Sequence, residues 1–119
     1  MSDEPALLDK FGIRAGTRVT LVRGPRPFMS DLRAAGARVV RADAEVTFVF
    51  ADALDELTSL PVIVHPAALW IVYPKARTQI TQNDVLAAGR EAGLTDIKVV
   101  RFSDTHTALK FVVPRSRRP

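Results

Sequence analysis

Hydrophobic and polar positions recur along this chain with two different periods, which predict strands alternating with short helices. The clearest strand is the uninterrupted apolar run 68–73, which suits a strand covered on both faces and must end at Pro74. Other runs rich in β-branched and aromatic residues predict strands at 18–23, 38–41, 45–50, 96–102 and 107–113. Apolar residues at helical spacing, with glycine or capping signals at the ends, predict helices at 6–11, 28–35, 52–60 and 81–92.

This alternation predicts a single three-layer α/β domain, Rossmann-like, with a mostly parallel sheet and an antiparallel hairpin at its C-terminal end. The domain is expected to span residues 1–114. One connection does not suit a parallel crossover. Between strands 38–41 and 45–50 there are at most about five residues, or roughly 16 Å of extended chain, whereas a parallel crossover needs a dozen or more. Strand 38–41 is therefore expected to be a very short edge strand or to run antiparallel to its neighbour.

The composition suits one globular domain. The chain has 119 residues, of which 47% are hydrophobic and 25% charged, so it can bury a core. It has no cysteine, which excludes disulfides, a thiol nucleophile and cysteine-based metal sites. Its first residues lack the order of a secretion signal, and no apolar run approaches the roughly 20 residues that span a bilayer. We therefore expect a cytoplasmic protein of bacterial type without a membrane partner.

The net charge of +4 is concentrated at the C-terminal end. Arg115, Arg117 and Arg118 lie within the last six residues, and the rest of the chain is nearly neutral. We expect residues 115–119 to form a basic disordered tail, and we do not expect nucleic-acid binding because interleaved aromatic residues are missing. The expected partner is an unknown protein or a small anionic ligand, and a homo-oligomer is possible.

The order of elements resembles a shortened class I methyltransferase sheet, whose final strand is antiparallel. The whole chain more closely resembles a family of small uncharacterised bacterial proteins, domain of unknown function 3052. The segments that carry this resemblance are 11–19, 69–75, 92–99 and 108–111. That family has an Asp-Glu pair and a Trp in its final hairpin, where this chain has Asp104-Thr105-His106-Thr107, so a role tied to that Trp is open here. The resemblance implies a fold but brings no established activity.

The turn after the first strand, Gly24-Pro25-Arg26-Pro27, argues against a nucleotide cofactor. Enzymes that bind S-adenosylmethionine or NAD use glycines at this turn, so that backbone N–H groups approach the ligand closely. Here one glycine gives little room, and the two prolines remove two N–H donors. The sequence therefore predicts that no cofactor is bound.

Candidate ligand-binding residues lie where parallel strands are predicted to end, because ligands bind at the carboxyl edge of such sheets. They are Arg23, Gly24, Arg26, Tyr73, Lys75 and Arg77. The alternative for the arginines is plain solvation. The alternative for the other two is that Tyr73 packs at the sheet end while Lys75 pairs with a carboxylate.

Other polar residues give weaker signals, and no catalytic or metal-binding residue is predicted. Asp43 follows the second strand, where dinucleotide folds place a ribose-binding acid, but Asp is also common in tight turns. His65 and His106 lack metal-ligand spacing. Asp104 and His106 could pass a proton, but no nucleophile stands beside them in the sequence, and a turn-forming Asp with an exposed His explains the pair better.

These observations predict a non-catalytic interaction or small-ligand-binding module with a degenerate cofactor loop. The alternative is a methyltransferase-like enzyme that uses the strand-end crevice near Gly24 and Lys75.

Overall fold

The computed structural model describes residues 4–118, which form six strands and three α-helices. The strands are β1 (Arg18–Val22), β2 (Arg38–Val39), β3 (Val46–Phe50), β4 (Ala68–Pro74), β5 (Thr95–Arg101) and β6 (His106–Val112). The helices are α1 (Glu4–Lys10), α2 (Arg26–Ala34) and α3 (Gln82–Glu91). Two 3₁₀ turns lie at Leu54–Leu57 and Arg115–Arg117.

All six strands belong to one sheet, in the order β2-β1-β3-β4-β6-β5. Strands β1 to β4 are parallel, β6 is antiparallel to β4, and β5 is antiparallel to β6. The predicted fold class, a mostly parallel sheet that closes with an antiparallel hairpin, is therefore confirmed. Pro74 ends β4, as its missing N–H requires.

Strand 38–41 was expected to be a very short edge strand or to run antiparallel to its neighbour. The first alternative is correct, since β2 has only two residues at the edge of the sheet. The second is wrong, since β2 pairs parallel with β1. The connection to β3 can be short because β2 has only two residues. The chain needs to return only from Val40, whose N–H donates to the Val19 carbonyl, to Glu45, whose N–H donates to the Arg18 carbonyl. A full crossover helix is not required.

Helices α1 and α2 cover one face of the sheet over a core rich in aromatic rings. The rings in contact are Phe11, Phe28, Phe48, Phe50, Trp70 and Phe102. Trp70 is fully buried, and its ring lies 4.7 Å from that of Phe11 in an edge-to-face arrangement. Five of the six residues of the predicted helix 6–11 lie in α1, and Gly12 follows with a φ of +77°.

Helix α3 covers the opposite face. Its N-terminus has the predicted capping box, in which Thr81 accepts from the Asp84 N–H and Asp84 accepts from the Thr81 N–H. Val85 of α3 packs with Ile71 of β4 and Phe111 of β6 in the second hydrophobic core. Helices on both faces make the predicted three layers.

The predicted helix at 52–60 is wrong except for one 3₁₀ turn at Leu54–Leu57. Pro61 restricts the residue before it to extended conformations, which opposes a helix reaching residue 60. Residues 58–67 instead form an irregular connector to β4. Leu57 of the turn is buried, and Leu60 and Ile63 of the connector pack against the same hydrophobic core as α3.

The structure describes residues 115–118 of the expected basic tail, and the division of the chain into a domain and a disordered tail stays a prediction. Within the described part of that tail, Arg115–Arg117 form a 3₁₀ turn, and Arg117 Nη1 donates to the Gly93 carbonyl just after α3. Arg118 Nε donates to the Val113 carbonyl at 3.1 Å. Pro119 lies outside the described residues.

Across residues 4–118, none of the helices has the length and apolar character needed to span a membrane.

Candidate functional site at the carboxyl edge of the sheet

The ends of β1, β3 and β4 lie at one edge of the sheet because these strands are parallel. The loop between β5 and β6 reaches the same edge, and the Lys75 N–H donates to its Thr105 carbonyl at 3.0 Å. The chain continues from β1 to β2 on one side of β1 but places β3 on the other side, so the direction of winding reverses between β1 and β3. We call this place the switch point. It is where open α/β sheets usually hold their ligands.

Arg23, the first residue after β1, spans the switch point. Its Nε donates to the carbonyl of Phe50, the last residue of β3, at 2.9 Å. Its Nη2 donates to the Glu56 carbonyl at 3.1 Å, and its Nε lies 3.3 Å from Glu56 Oε2. We call these contacts the Arg23 bridge. They join the end of β1 to the end of β3 and to the 3₁₀ turn that follows it.

The backbone of Arg23 is unusual for a residue with a side chain, because its φ is +58°. Left-handed backbone in a residue other than glycine costs on the order of 1 kcal/mol and persists only where the surroundings hold it. The three side-chain contacts of the bridge supply that support. Arg23 is therefore a fixed part of the edge rather than a freely solvated arginine.

Glu56 completes the bridge from the other side. Its Oε1 accepts from the Asp52 N–H at 2.7 Å, so the carboxylate holds the turn after β3 as well as Arg23. The pKa of Glu56 is lowered, first by the hydrogen bond from the Asp52 N–H, against a desolvation effect that raises it, and further by the charge of Arg23. Glu56 is charged at neutral pH, which favours the ion pair.

The turn that follows Arg23 is shaped by packing. A Cβ at Gly24 would lie 3.1 Å from the Leu21 side chain, so the missing side chain gives room to Leu21. Pro25 is the N-cap of α2 and makes no side-chain capping bond, and Pro27 lies in the first turn. The two prolines offer no N–H to a ligand, as the sequence indicates.

Three other predicted site residues, Arg26, Lys75 and Arg77, are exposed. None of the three makes an ion pair with any residue in the range 4–118. Lys75 and Arg77 follow β4, and Arg26 begins α2 just beyond β1, so all three lie near the carboxyl edge. Their charges remain available to an anion.

Tyr73 differs from the other candidates because it belongs to the core. It is 3% exposed, and its hydroxyl donates to Gln82 Oε1 at 3.4 Å. Burial raises the pKa of the Tyr73 hydroxyl. Tyr73 therefore packs at the sheet end, while Lys75 beside it reaches solvent.

Asp43 does not lie where a ribose-binding acid would. The connection after β2 turns back, and the Asp43 carbonyl accepts from Nε of Arg18, the first residue of β1. Asp43 therefore lies near the amino end of the strand, opposite the switch point. Its φ of +60° fits the turn that the sequence also suggests.

The proton relay suggested by Asp104 and His106 is not formed. Asp104 pairs with Arg101, and His106 Nδ1 lies 2.8 Å from Thr105 Oγ1. His65 is exposed in the connector before β4. Within residues 4–118 no group of three histidine, cysteine or acidic residues could hold a metal ion.

Glu56, the partner of Arg23, is not among the residues that the sequence singles out. A single glutamate in a short polar turn has the same pattern as any surface acid. Glu56 lies six residues after the end of β3. This position brings it to Arg23 only because the turn folds back over the carboxyl edge, which the sequence does not show.

No protein-family model matches this chain, and no curated protein matches its sequence. Solved structures do match its fold. One is an S-adenosylmethionine (SAM) dependent methyltransferase from Aquifex aeolicus, with a TM-score of 0.61 and 14% identity, covering 94% of this chain and 90% of that one. The fold is methyltransferase-like.

Two further structures support the same fold. Magnesium protoporphyrin IX methyltransferase from Synechocystis PCC 6803, solved with bound SAM, has a TM-score of 0.57 and 11% identity, covering 93% of this chain and 76% of that one. A release-factor-specific protein-(glutamine-N5) methyltransferase from Alicyclobacillus acidocaldarius has a TM-score of 0.53 and 14% identity, covering 96% and 94%. The expected methyltransferase-like fold is confirmed, and membership of domain of unknown function 3052 stays a prediction.

Proposed function

We propose that this protein is a non-catalytic binding module that keeps the methyltransferase-like fold without using SAM. We further propose that it binds a small anionic ligand at the carboxyl edge through Lys75, Arg77 and Arg26. The observation that carries the first part is the Arg23 bridge across the switch point. The observation that supports the second is the exposure of three cations without ion-pair partners in the described chain.

The Arg23 bridge opposes a cofactor between β1 and β3 because the space is crossed by a guanidinium with its own partners. A ligand entering there would have to break the hydrogen bonds to the Phe50 and Glu56 carbonyls and separate the ion pair with Glu56. The turn after Arg23 would replace few of these hydrogen bonds, since Pro25 and Pro27 have no N–H to donate to the ligand.

Thermal denaturation with SAM and with NAD tests the first part. A cofactor with a Kd of about 10 μM, present at about 1 mM, would stabilise the fold by about 2.7 kcal/mol. At about 4 °C per kcal/mol, the melting temperature would then rise by about 10 °C. We expect a rise under about 2 °C with either compound. A rise near 10 °C would overturn the proposal.

Titration with tripolyphosphate, a compact anionic probe, tests the second part. We expect the double variant Lys75→Ala/Arg77→Ala to bind tripolyphosphate at least about 10-fold more weakly, because two charges are lost from one edge. Arg14→Ala is the matched control, since Arg14 is an exposed arginine before β1, at the amino end of the sheet. Equal loss in the control would mean non-specific attraction and would contradict a site.

SAM-dependent methyl transfer is the second candidate function. The fold neighbours favour it, one of them solved with bound SAM, and the side chain of Arg23 is 41% exposed, so the bridge lies at the surface where it can open. Binding of SAM to the unmodified protein would favour this candidate. Binding only to Arg23→Ala would show that the bridge excludes the cofactor, as the main proposal requires.

A further inference from the structure

A cavity lies away from the carboxyl edge, on the sheet face that α3 covers. Its volume is about 530 Å³, within the range of small-molecule sites. Its floor includes Thr20 of β1 and Thr47 of β3, which are neighbours in the sheet. Its walls are the loop 41–45 and residues 61–64, 66 and 67 of the connector. This cavity is separate from the switch point and from the cations near it.

The floor of this cavity contains a hydroxyl that makes no hydrogen bond with residues 4–118. Thr47 is 6% exposed and is a polar residue in the otherwise apolar strand β3. Its hydroxyl makes no hydrogen bond with residues 4–118, whereas the Thr20 hydroxyl beside it donates to the Val40 carbonyl at 2.7 Å. Among the described residues the enclosed side-chain atom without a partner is Trp70 Nε1, so the Thr47 hydroxyl is open to the cavity, where a ligand can make a hydrogen bond with it.

The walls leave one positive and one negative side chain without a partner. Arg18 is paired with Glu45, at 3.6 Å, and also donates to the Asp43 carbonyl. The side chains of Arg41 and Asp43 make no ion pair or hydrogen bond with any residue the structure describes. A simple anion would meet the carboxylates of Asp43 and Glu45 as well as the arginines. A ligand with both charges matches this wall better.

The remaining wall is apolar. Val62, Ile63 and Val64 of the connector line the cavity, and Val62 is 91% exposed, so it has little protein packed against it. A short hydrocarbon side chain on the ligand would cover part of this surface, which is favourable in water.

We propose that this cavity binds a free α-amino acid with a short side chain. Arg41 binds the carboxylate, Asp43 binds the ammonium group, the Thr47 hydroxyl makes a hydrogen bond to the ligand, and the connector valines contact the side chain. This proposal is independent of the function proposed above, since no residue is shared between the two sites.

Thermal denaturation with each of the twenty L-amino acids at 10 mM gives the first test. We expect at least one with a small apolar side chain, such as L-valine, to raise the melting temperature, by about 10 °C if its Kd is a hundredth of that concentration. Isovalerate lacks the amine and isobutylamine lacks the carboxylate, and each should bind at least about 10-fold more weakly than valine. If no amino acid binds, or if isovalerate binds as well as valine, the proposal is overturned.

Two variants locate the site. Thr47→Val keeps the shape and removes the hydroxyl, so it should weaken amino-acid binding at least about 10-fold while leaving the free protein as stable or with a higher melting temperature. Thr78→Val, at an exposed threonine after β4, is the matched control and should bind normally. Unchanged binding by Thr47→Val would place the ligand elsewhere and overturn the assignment.

Discussion

Gly89 of α3 lies against the ring of Phe111 on β6, so closely that a Cβ at residue 89 would overlap the ring. Both residues are buried. The absence of a side chain at residue 89 therefore sets the distance between the helix and the sheet. Glycine within a helix is less stable than alanine by about 1 kcal/mol, and here the close packing of the helix on the Phe111 ring offsets that loss.

We predict that Gly89→Ala lowers the free energy of unfolding by about 1–3 kcal/mol, because overpacking outweighs the gain in helix propensity. Ala87→Gly, on the exposed side of the same helix, should lower it by about 1 kcal/mol through propensity alone. Urea denaturation measures both. Phe111→Leu combined with Gly89→Ala should be less destabilised than the sum of the single changes. Stabilisation by Gly89→Ala would contradict the contact.

The sequence predicts well those elements whose pattern is local. Strand β4 is found where its apolar run lies, and α3 begins at the predicted capping box. The small-residue face that includes Gly89 is visible in the sequence, but its partner Phe111 is not, since that contact depends on the final hairpin packing under α3. The predicted helix at 52–60 shows that the helical spacing of leucines is not sufficient to predict a helix. Pro61 follows directly, and only one 3₁₀ turn forms before it.

The geometry of the carboxyl edge was predicted in part, and ligand binding there stays a prediction. The positions of Arg23 and Lys75 at the carboxyl edge could be predicted, because the Gly24 turn and Pro74 mark the ends of the two strands that precede them. The left-handed backbone of Arg23 has no signature in residue type, so its bridge to Glu56 is visible only in three dimensions. Of the two interpretations of Asp43, the turn agrees with its left-handed backbone, and the ribose-binding position does not, because β2 is too short to carry Asp43 to the edge.

Trp70 and Lys75 lie five residues apart but should behave oppositely. Trp70 is fully buried among aromatic rings, so Trp70→Ala should lower the free energy of unfolding by about 3–5 kcal/mol. Lys75 is exposed and makes no ion pair with any residue from 4 to 118, so Lys75→Ala should change it by under about 1 kcal/mol. Chemical denaturation measures both variants. Equal losses would mean that Lys75 is structural and would remove it from the proposed site.

The Arg23 bridge predicts a specific acid sensitivity. The pKa of Glu56 in the folded protein is below its ordinary value of 4.5, so the carboxylate stabilises the fold above that pH, and this contribution is lost as the pH falls through the folded pKa. Glu56→Gln should be less stable than the unmodified protein at pH 7, and the difference should shrink as the pH falls below 4.5. Denaturation midpoints across this range measure it. Asp55→Asn, a neighbouring exposed acid outside the bridge, should keep the original pH dependence.

The contact between Arg117 and the Gly93 carbonyl predicts that the basic C-terminal end contributes to stability. Arg117 supplies a charged donor just beyond the carboxyl end of α3, where carbonyl groups lack helical partners and positive charge is favourable. We expect Arg117→Ala to lower the free energy of unfolding by about 1 kcal/mol. Arg115→Ala should leave it within about 0.5 kcal/mol, since the Arg115 side chain makes no hydrogen bond or ion pair with residues 4–118. Urea denaturation of the two variants, matched in charge and separated by one residue, decides the point. If both variants are as stable as the unmodified protein, the basic C-terminal end is the solvated tail that its composition predicts. The Gly93 carbonyl then accepts its hydrogen bond from water.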